Sequence, residues 1–247
     1  MRLTVLGSAG SYPAPGRACS SYLLEAGGHR VLLDCGNGAM TNLLREHDVH
    51  DVDALVLTHR HHDHLADAYA LHTALQFHPA GPRPLRLYAQ RDTWGYLGTI
   101  AGGVDRLRPL LDLHAVEPDD VVETGPVRLS FRSTAHPVPT LAVRAEHDGT
   151  VIAYSADSGP CDALVETARG ADLFLCEATW AGSADGKPRD LHCTGTQAGE
   201  LAKRAGARRL LVTHVAHPMD PQRVAVEAGA AFGAEVEAAA DLATYDV

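Results

Sequence analysis

Three things are scarce in this 247-residue chain, and each absence closes a class of function. No apolar run approaches the roughly 20 residues that a membrane-spanning helix needs. The first apolar stretch, Leu3–Leu6, is too short for a signal peptide and reads as a strand. Cysteines number five (Cys19, Cys35, Cys161, Cys176, Cys193), an odd count without a C-x-x-C pair. A disulfide framework is therefore not expected; reduced thiols in a cytoplasmic protein are, each a small buried hydrophobe by default. Basic residues are outnumbered, 21 against 31 acidic ones, for a net charge of −10. Polymeric nucleic acid is held largely through counterion release at basic contacts, so a small anionic substrate is favoured over a long polymer. Linkers and low-complexity tracts are missing too, and a single domain over residues 1–247 is expected.

What is present is an alternation of short apolar runs and helical spacings. Strands are expected at Thr4–Leu6, Ser20–Ala26 and Arg30–Asp34, the last two joined at Gly27-Gly28, a two-glycine hairpin signal. Gly38–Glu46 and Ala66–Phe77 have helical spacing, the second with Ala68, Leu71 and Leu75 on one face and a structural His72 at its edge. Thr93–Gly103, with four glycines, is ambiguous. Further strands fall at Leu85–Tyr88, Val127–Arg132, Ala142–Ala145, Val151–Tyr154, Leu173–Cys176, Leu210–Thr213 and Val236–Ala239. Helices are expected at Cys161–Ala168, at Thr196–Ala205 behind a threonine cap, and at Pro221–Phe232 with proline in its first turn. Two successive β-then-α halves fit an α/β class, an αββα sandwich of two mixed sheets flanked by helices.

The chemistry is concentrated in Thr58-His59-Arg60-His61-His62-Asp63-His64, directly after the apolar run Ala54–Leu57. In this H-x-H-x-D-H pattern, side chains two apart in an extended turn point the same way. His59 and His61 can close on one metal while Asp63 and His64 turn toward a second. A solvated histidine-rich loop is the bland alternative. Against it stand His136, Asp157 and His214, each at or just beyond the carboxyl end of an expected strand. Taken singly, a strand-end His or Asp is more often a cap; the joint pattern lifts these three above that. Imidazole with carboxylate suits zinc, with manganese or iron tolerated.

With these segments the chain resembles the metallo-β-lactamase fold superfamily almost end to end, most closely its ribonuclease Z-like branch. The resemblance also rests on Leu6–Ser11, Leu33-Asp34-Cys35-Gly36, Ala135-His136-Pro137, Tyr154–Gly159, Cys176-Glu177-Ala178-Thr179 and Leu191–Ala198. Within that branch it is similar to small cyclic-nucleotide phosphodiesterases that lack a transfer-RNA-binding arm. The resemblance implies two divalent metal ions, His59, His61 and His136 on the first, Asp63, His64 and His214 on the second, and Asp157 bridging. It implies a phosphodiester hydrolase using metal-bound hydroxide, with Asp63, Glu177 and His192 catalytic: Asp63 orients or deprotonates the water, and Glu177 with His192 stabilises the leaving group. For that last pair a structural hydrogen bond between loops is the alternative. Homodimerisation is implied as well. Ribonuclease Z-type RNA 3′-processing, or hydrolysis of another ester, lactone or thioester, are the other readings, since fold does not fix substrate.

Two departures from the family pattern stand out: Ala156 occupies a position where glycine is common, and Ser158 one where threonine is. Only about twenty residues separate His136 from Asp157, too few for the Gly/Pro-rich arm of transfer-RNA-processing members. Asp34 is expected either to hydrogen-bond the histidine loop or to cap a turn. His62 faces away or toward substrate, and His217 touches substrate or sits in an exposed loop. Trp180, Phe77 and Trp94 are either stacking faces for a base or core packing.

Overall fold

The computed structural model describes residues 1–247. Two seven-stranded sheets face each other. The first runs, in spatial order, Thr244–Asp246, Arg2–Gly7, Ser21–Ala26, His29–Leu33, Ala54–Leu57, Leu85–Ala89 and Leu111–Ala115. The second runs Glu237–Ala238, Leu210–Thr213, Leu173–Glu177, Thr150–Tyr154, Leu141–His147, Val127–Ser133 and Val121–Thr124. Both mix parallel and antiparallel pairings.

Strand alternation builds the layers. In Ala54–Leu57, Ala54 and Val56 join a core shared by both sheets, while Leu55 and Leu57 face the helices outside the first sheet. Leu173–Glu177 does the same on the other side: Leu173 and Leu175 enter the shared core, Phe174 and Cys176 the helix-covered layer. Runs apolar at every position mark strands buried on both faces, and the four-layer αββα sandwich follows from them. Helices Ala39–Leu43, Ala68–Gln76 and Arg91–Ala101 cover the first sheet, and Asp162–Thr167, Gly195–Ala205 and Pro221–Phe232 the second.

Several local expectations hold in detail. Gly27 and Gly28 both take positive φ and close the hairpin between Ser21–Ala26 and His29–Leu33. The cap of Gly195–Ala205 is Thr194, whose hydroxyl accepts from the Gln197 amide in a capping box. His72 is structural, 3.3 Å from the Arg106 carbonyl. Thr93–Gly103 resolves into the helix Arg91–Ala101, with Gly102 as its left-handed cap. Five strands escape sequence reading: Leu111–Ala115, Val121–Thr124 and Thr244–Asp246, all at edges of the large sheets, and the two-residue strands Ala9–Gly10 and Val215–Ala216. Cys19, Cys35, Cys176 and Cys193 are buried and Cys161 half-buried, none in a disulfide. Burial pushes the Cys19 thiol up to about 12, so it stays protonated. No helix is long and apolar enough to cross a membrane.

Candidate metal centre

The loop after Ala54–Leu57 is fixed before any ligand is considered. Cys35 donates its amide to the His64 carbonyl at 2.7 Å, and Asp67 donates back to the Cys35 carbonyl at 2.9 Å. Gly36 lies so close that a Cβ there would sit 2.0 Å from the Asp63 carbonyl oxygen. The other wall is equally tight: Ala9–Gly10 pairs in parallel with Val215–Ala216, and a Cβ on Gly10 would meet the His214 carbonyl at 2.4 Å. These contacts explain why glycine stands at 10 and 36.

On this frame the seven sequence-derived residues converge as two groups sharing Asp157. His59, His61, His136 and Asp157 bring ligand atoms within 4.8 Å of one another, and so do Asp63, His64, Asp157 and His214. Asp157 Oδ2 lies 3.6 Å from His59 Nε2, and its Oδ1 lies 3.0 Å from His64 Nε2 and 3.4 Å from His214 Nε2. One oxygen thus serves each group. The groups close with His61 Nδ1 3.1 Å from His136 Nε2 and Asp63 Oδ2 3.0 Å from His214 Nε2. His59, His64, Asp157 and His214 are at most 2% exposed.

Most outer ring nitrogens are occupied. His64 Nδ1 lies 2.7 Å from Asp34 Oδ2, His136 Nδ1 2.9 Å from the Leu191 carbonyl and His214 Nδ1 2.9 Å from Thr179 Oγ1. His59 Nδ1 lies 3.1 Å from Thr58 Oγ1. Such partners set ring orientation and tautomer and point the remaining nitrogen inward. Asp34 does what the histidine-loop reading expects: it accepts from the Thr58 amide at 2.8 Å and from the Tyr154 hydroxyl at 2.8 Å besides holding His64. Ser11, Tyr154 and Thr179 belong to this scaffold and were not singled out from sequence. Ser11 donates its amide to Asp63 Oδ2 at 2.7 Å. All three lie within the motif segments named above, but the Tyr154 contact with Asp34 crosses 120 residues and leaves no local signal.

Within these clusters three buried atoms have no hydrogen-bond partner: His59 Nε2, His64 Nε2 and Asp157 Oδ1. Orphaned buried polar atoms are costly unless something else occupies them. All three point into the clusters, and imidazole nitrogen with carboxylate oxygen is a donor set for divalent transition metals. The residues therefore fit a dinuclear metal site. Electrostatics agree at the first group. In the second, burial would lower His64, but Asp157 and Asp34 outweigh it and raise the ring, adding a proton that a bound cation would displace. Burial, then neighbouring imidazoles, holds His59 well below the usual histidine range, and burial lowers His61 and His136, which keeps these rings neutral. Burial alone would raise Asp157, but His214 and His64 outweigh it and keep the carboxylate ionised.

Ala156 shows what the glycine-to-alanine departure does. It takes φ +51°, so the loop keeps its left-handed turn with a Cβ in place, at a strain of about 1–2 kcal/mol. Ser158 receives the Ala135 amide on its hydroxyl at 3.1 Å, tying the Asp157 loop to that of His136.

Glu177 and His192 lie beside these groups. Glu177 is fully buried; Oε1 accepts from the Ser158 amide at 3.0 Å and lies 2.8 Å from His192 Nδ1. Oε2 accepts from the Thr179 amide and hydroxyl, both at 3.1 Å, and from the Cys193 amide at 3.2 Å. Burial by itself would lower the His192 pKa, but Glu177, with help from Asp157, raises it to about 9. His192 lines a recess of about 260 Å³ with His61, His62, Asp63, His136 and Asp157. His62 is exposed, its Nε2 2.9 Å from the Tyr96 hydroxyl. His217 offers its carbonyl to the Tyr12 hydroxyl at 2.9 Å.

Residues 29–215 match the family model described as the beta-lactamase superfamily domain. An uncharacterised protein of Mycobacterium tuberculosis is 38% identical over 255 residues, spanning all of this chain and 92% of that protein. YhfI of Bacillus subtilis, named a probable metallo-hydrolase, is 32% identical over 97% of both chains. The YhfI crystal structure, of a metallo-β-lactamase fold protein, superposes with a TM-score of 0.89 at 31% identity over 99% of both chains. Human tRNase Z, short form, shares the fold at a TM-score of 0.81, with 21% identity over 100% of this chain and 99% of that one. The chain belongs to the metallo-β-lactamase superfamily, as a metallo-hydrolase whose buried His/Asp clusters fit two metal ions.

Proposed function

We propose that the protein is a two-metal phosphodiesterase acting on a small phosphodiester, a 3′,5′-cyclic nucleotide in preference to RNA, with zinc in the site. The observation that carries this reading is the Glu177–His192 pair at the edge of the ligand clusters, where a phosphodiesterase needs a proton donor. Two divalent ions, held by His59, His61, His136 and Asp157 and by Asp63, His64, Asp157 and His214, would lower the pKa of water and polarise phosphoryl oxygens. The side chains do the rest. Asp63, steadied by the Ser11 amide, orients the attacking water and takes its proton on the carboxylate. His192, protonated at neutral pH, gives the proton on Nε2 to the leaving alkoxide. Glu177 has both oxygens saturated by protein donors, so it holds Nδ1–H of His192 and keeps that ring cationic without touching substrate.

Two features support a small substrate. Between His136 and Asp157 the chain is occupied by the in-sheet hairpin Leu141–His147 and Thr150–Tyr154, leaving no projecting arm. The net charge of −10 gives no general phosphate-backbone surface. Parallel assays on cyclic AMP and precursor transfer RNA test the reading. Cyclic AMP hydrolysis that stops with chelator and returns with zinc or manganese is expected. Cleavage of the transfer RNA alone would transfer the activity to RNA processing, and no phosphodiester turnover with any divalent metal would sink both.

A further inference from the structure

A second and larger recess, about 500 Å³, adjoins the metal centre and shares His192 with the first. Its wall is the segment between Trp180 and His192. That segment is held at both ends. The Trp180 amide donates to the Cys193 carbonyl at 3.2 Å, and the Gly182 amide to Glu227 at 2.7 Å. Further along, a Cβ on Gly159 would meet the Arg189 carbonyl at 1.8 Å, so the backbone there is packed down. The recess is therefore a built feature of the site.

Three properties define what fits it. Trp180 is half-buried and stands edge-on to His192, ring centroids 5.4 Å apart at 84°. The Lys187 ammonium lies 5.9 Å from its centroid, over the indole face. Lys187 is in no ion pair, and its ammonium's only hydrogen bond goes to the Ser183 carbonyl, so it can yield that face to a ligand. Apart from His192, which is shared with the metal centre and held by Glu177, the charges on the wall cancel: Lys187 and Arg189 are matched by Asp185 and Asp190. A second phosphate is therefore not invited, whereas a neutral ring with donors and acceptors on its edge is. Gln197 adds to this, because its Oε1 is committed to the Thr194 amide at 2.9 Å and its NH₂ remains for a ligand. The two other aromatic residues considered from sequence fall away. Trp94 is 6% exposed beneath Arg91, and Phe77 lines a separate recess with Tyr69 and His72.

We propose that this recess is a nucleobase subsite: a base stacks on Trp180 and is edged by Lys187, Arg189 and Gln197 while its phosphate sits at the metal centre. The inference rests on the phosphodiesterase reading for its use in catalysis, but it makes a separate claim about binding. Base stacking on one aromatic side chain corresponds to roughly tenfold in affinity. Calorimetric titration of the zinc-loaded protein with adenosine 5′-monophosphate and with ribose 5-phosphate isolates the base. The nucleotide is expected to bind about tenfold tighter. In Trp180→Ala the two ligands should bind within about twofold of each other, and Trp180→Phe should restore most of the gap. If the alanine variant does not fold, Trp180→Leu fills the volume without a π face and serves the same comparison. Equal binding of the two ligands by the parent protein, or a gap that survives loss of the aromatic ring, overturns the proposal. Failure of the phosphodiesterase reading would show instead as absent turnover, whichever way the binding comparison falls.

Discussion

The two ligand groups that share Asp157 are built differently. His59, His61 and His136 are three rings kept neutral, with uncharged supports in the Thr58 hydroxyl and the Leu191 carbonyl. His61 is also partly exposed, although the His136 ring is buried. Asp63, His64 and His214 are all buried, include a carboxylate of their own, and back His64 with a second carboxylate, Asp34. Negative charge and a carboxylate behind the imidazole both strengthen cation binding. The buried group should be the tighter one and the rim group the more exchangeable, which suits an ion that must also meet substrate.

Removing the shared element should have the largest effect. Asp157→Ala takes an oxygen from each group, so metal analysis should find neither ion retained and hydrolysis lost; a variant holding two ions would show that Asp157 does not bridge. Next comes the proposed proton donor. His192→Asn should lower turnover by about 10²–10⁴-fold with both ions still present, and loss of metal along with activity would remove the acid role. The His192 pKa is raised, so its acid form is present at neutral pH and lost as pH climbs through that value. A falling alkaline limb is therefore expected in the pH profile, at or below about 9 because bound cations oppose the proton. The limb should vanish in the asparagine variant.

A smaller change bears directly on the buried group and reaches the other only through the Thr58 hydroxyl, which donates to Asp34. Asp34→Asn should weaken the buried site by about 10–100-fold and the rim site less, read by competition with a chromophoric chelator. Equal weakening of both would mean that the groups do not act independently. Smallest is Thr194→Ala, which removes the helix cap beside neither group and should cost about 1 kcal/mol of stability, with metal content unchanged.

Much of this contrast was legible before the fold. Thr58–His64 is dense because one turn supplies four of the candidate ligands, so local spacing reveals it. His136, Asp157 and His214 are single residues at separate strand ends, and only the apolar runs before them betray a common rim. The difference in their supports was not legible, since Asp34 reaches Tyr154 and Thr179 reaches His214 through the packing of two sheets. Glu177 and His192 could be paired from their motifs, yet which one faces the recess depends on how many donors surround Glu177. The overlooked strands fail for a plainer reason. Val121–Thr124 is largely exposed at a sheet edge, where a single buried face is enough and the apolar pattern thins out.

The sharing of ligands between sheets has a mechanical side. His59, His61, Asp63 and His64 follow a strand of the first sheet, while His136, Asp157 and His214 follow strands of the second. Each ion would be gripped from both sheets and so act as a cross-link over the seam of the sandwich. An ion at a hundred times its dissociation constant adds about 2.7 kcal/mol to folding stability if the unfolded chain does not bind it. Metal supply would then set how long the protein survives as well as how fast it works, and a starved population would be lost first by unfolding along that seam.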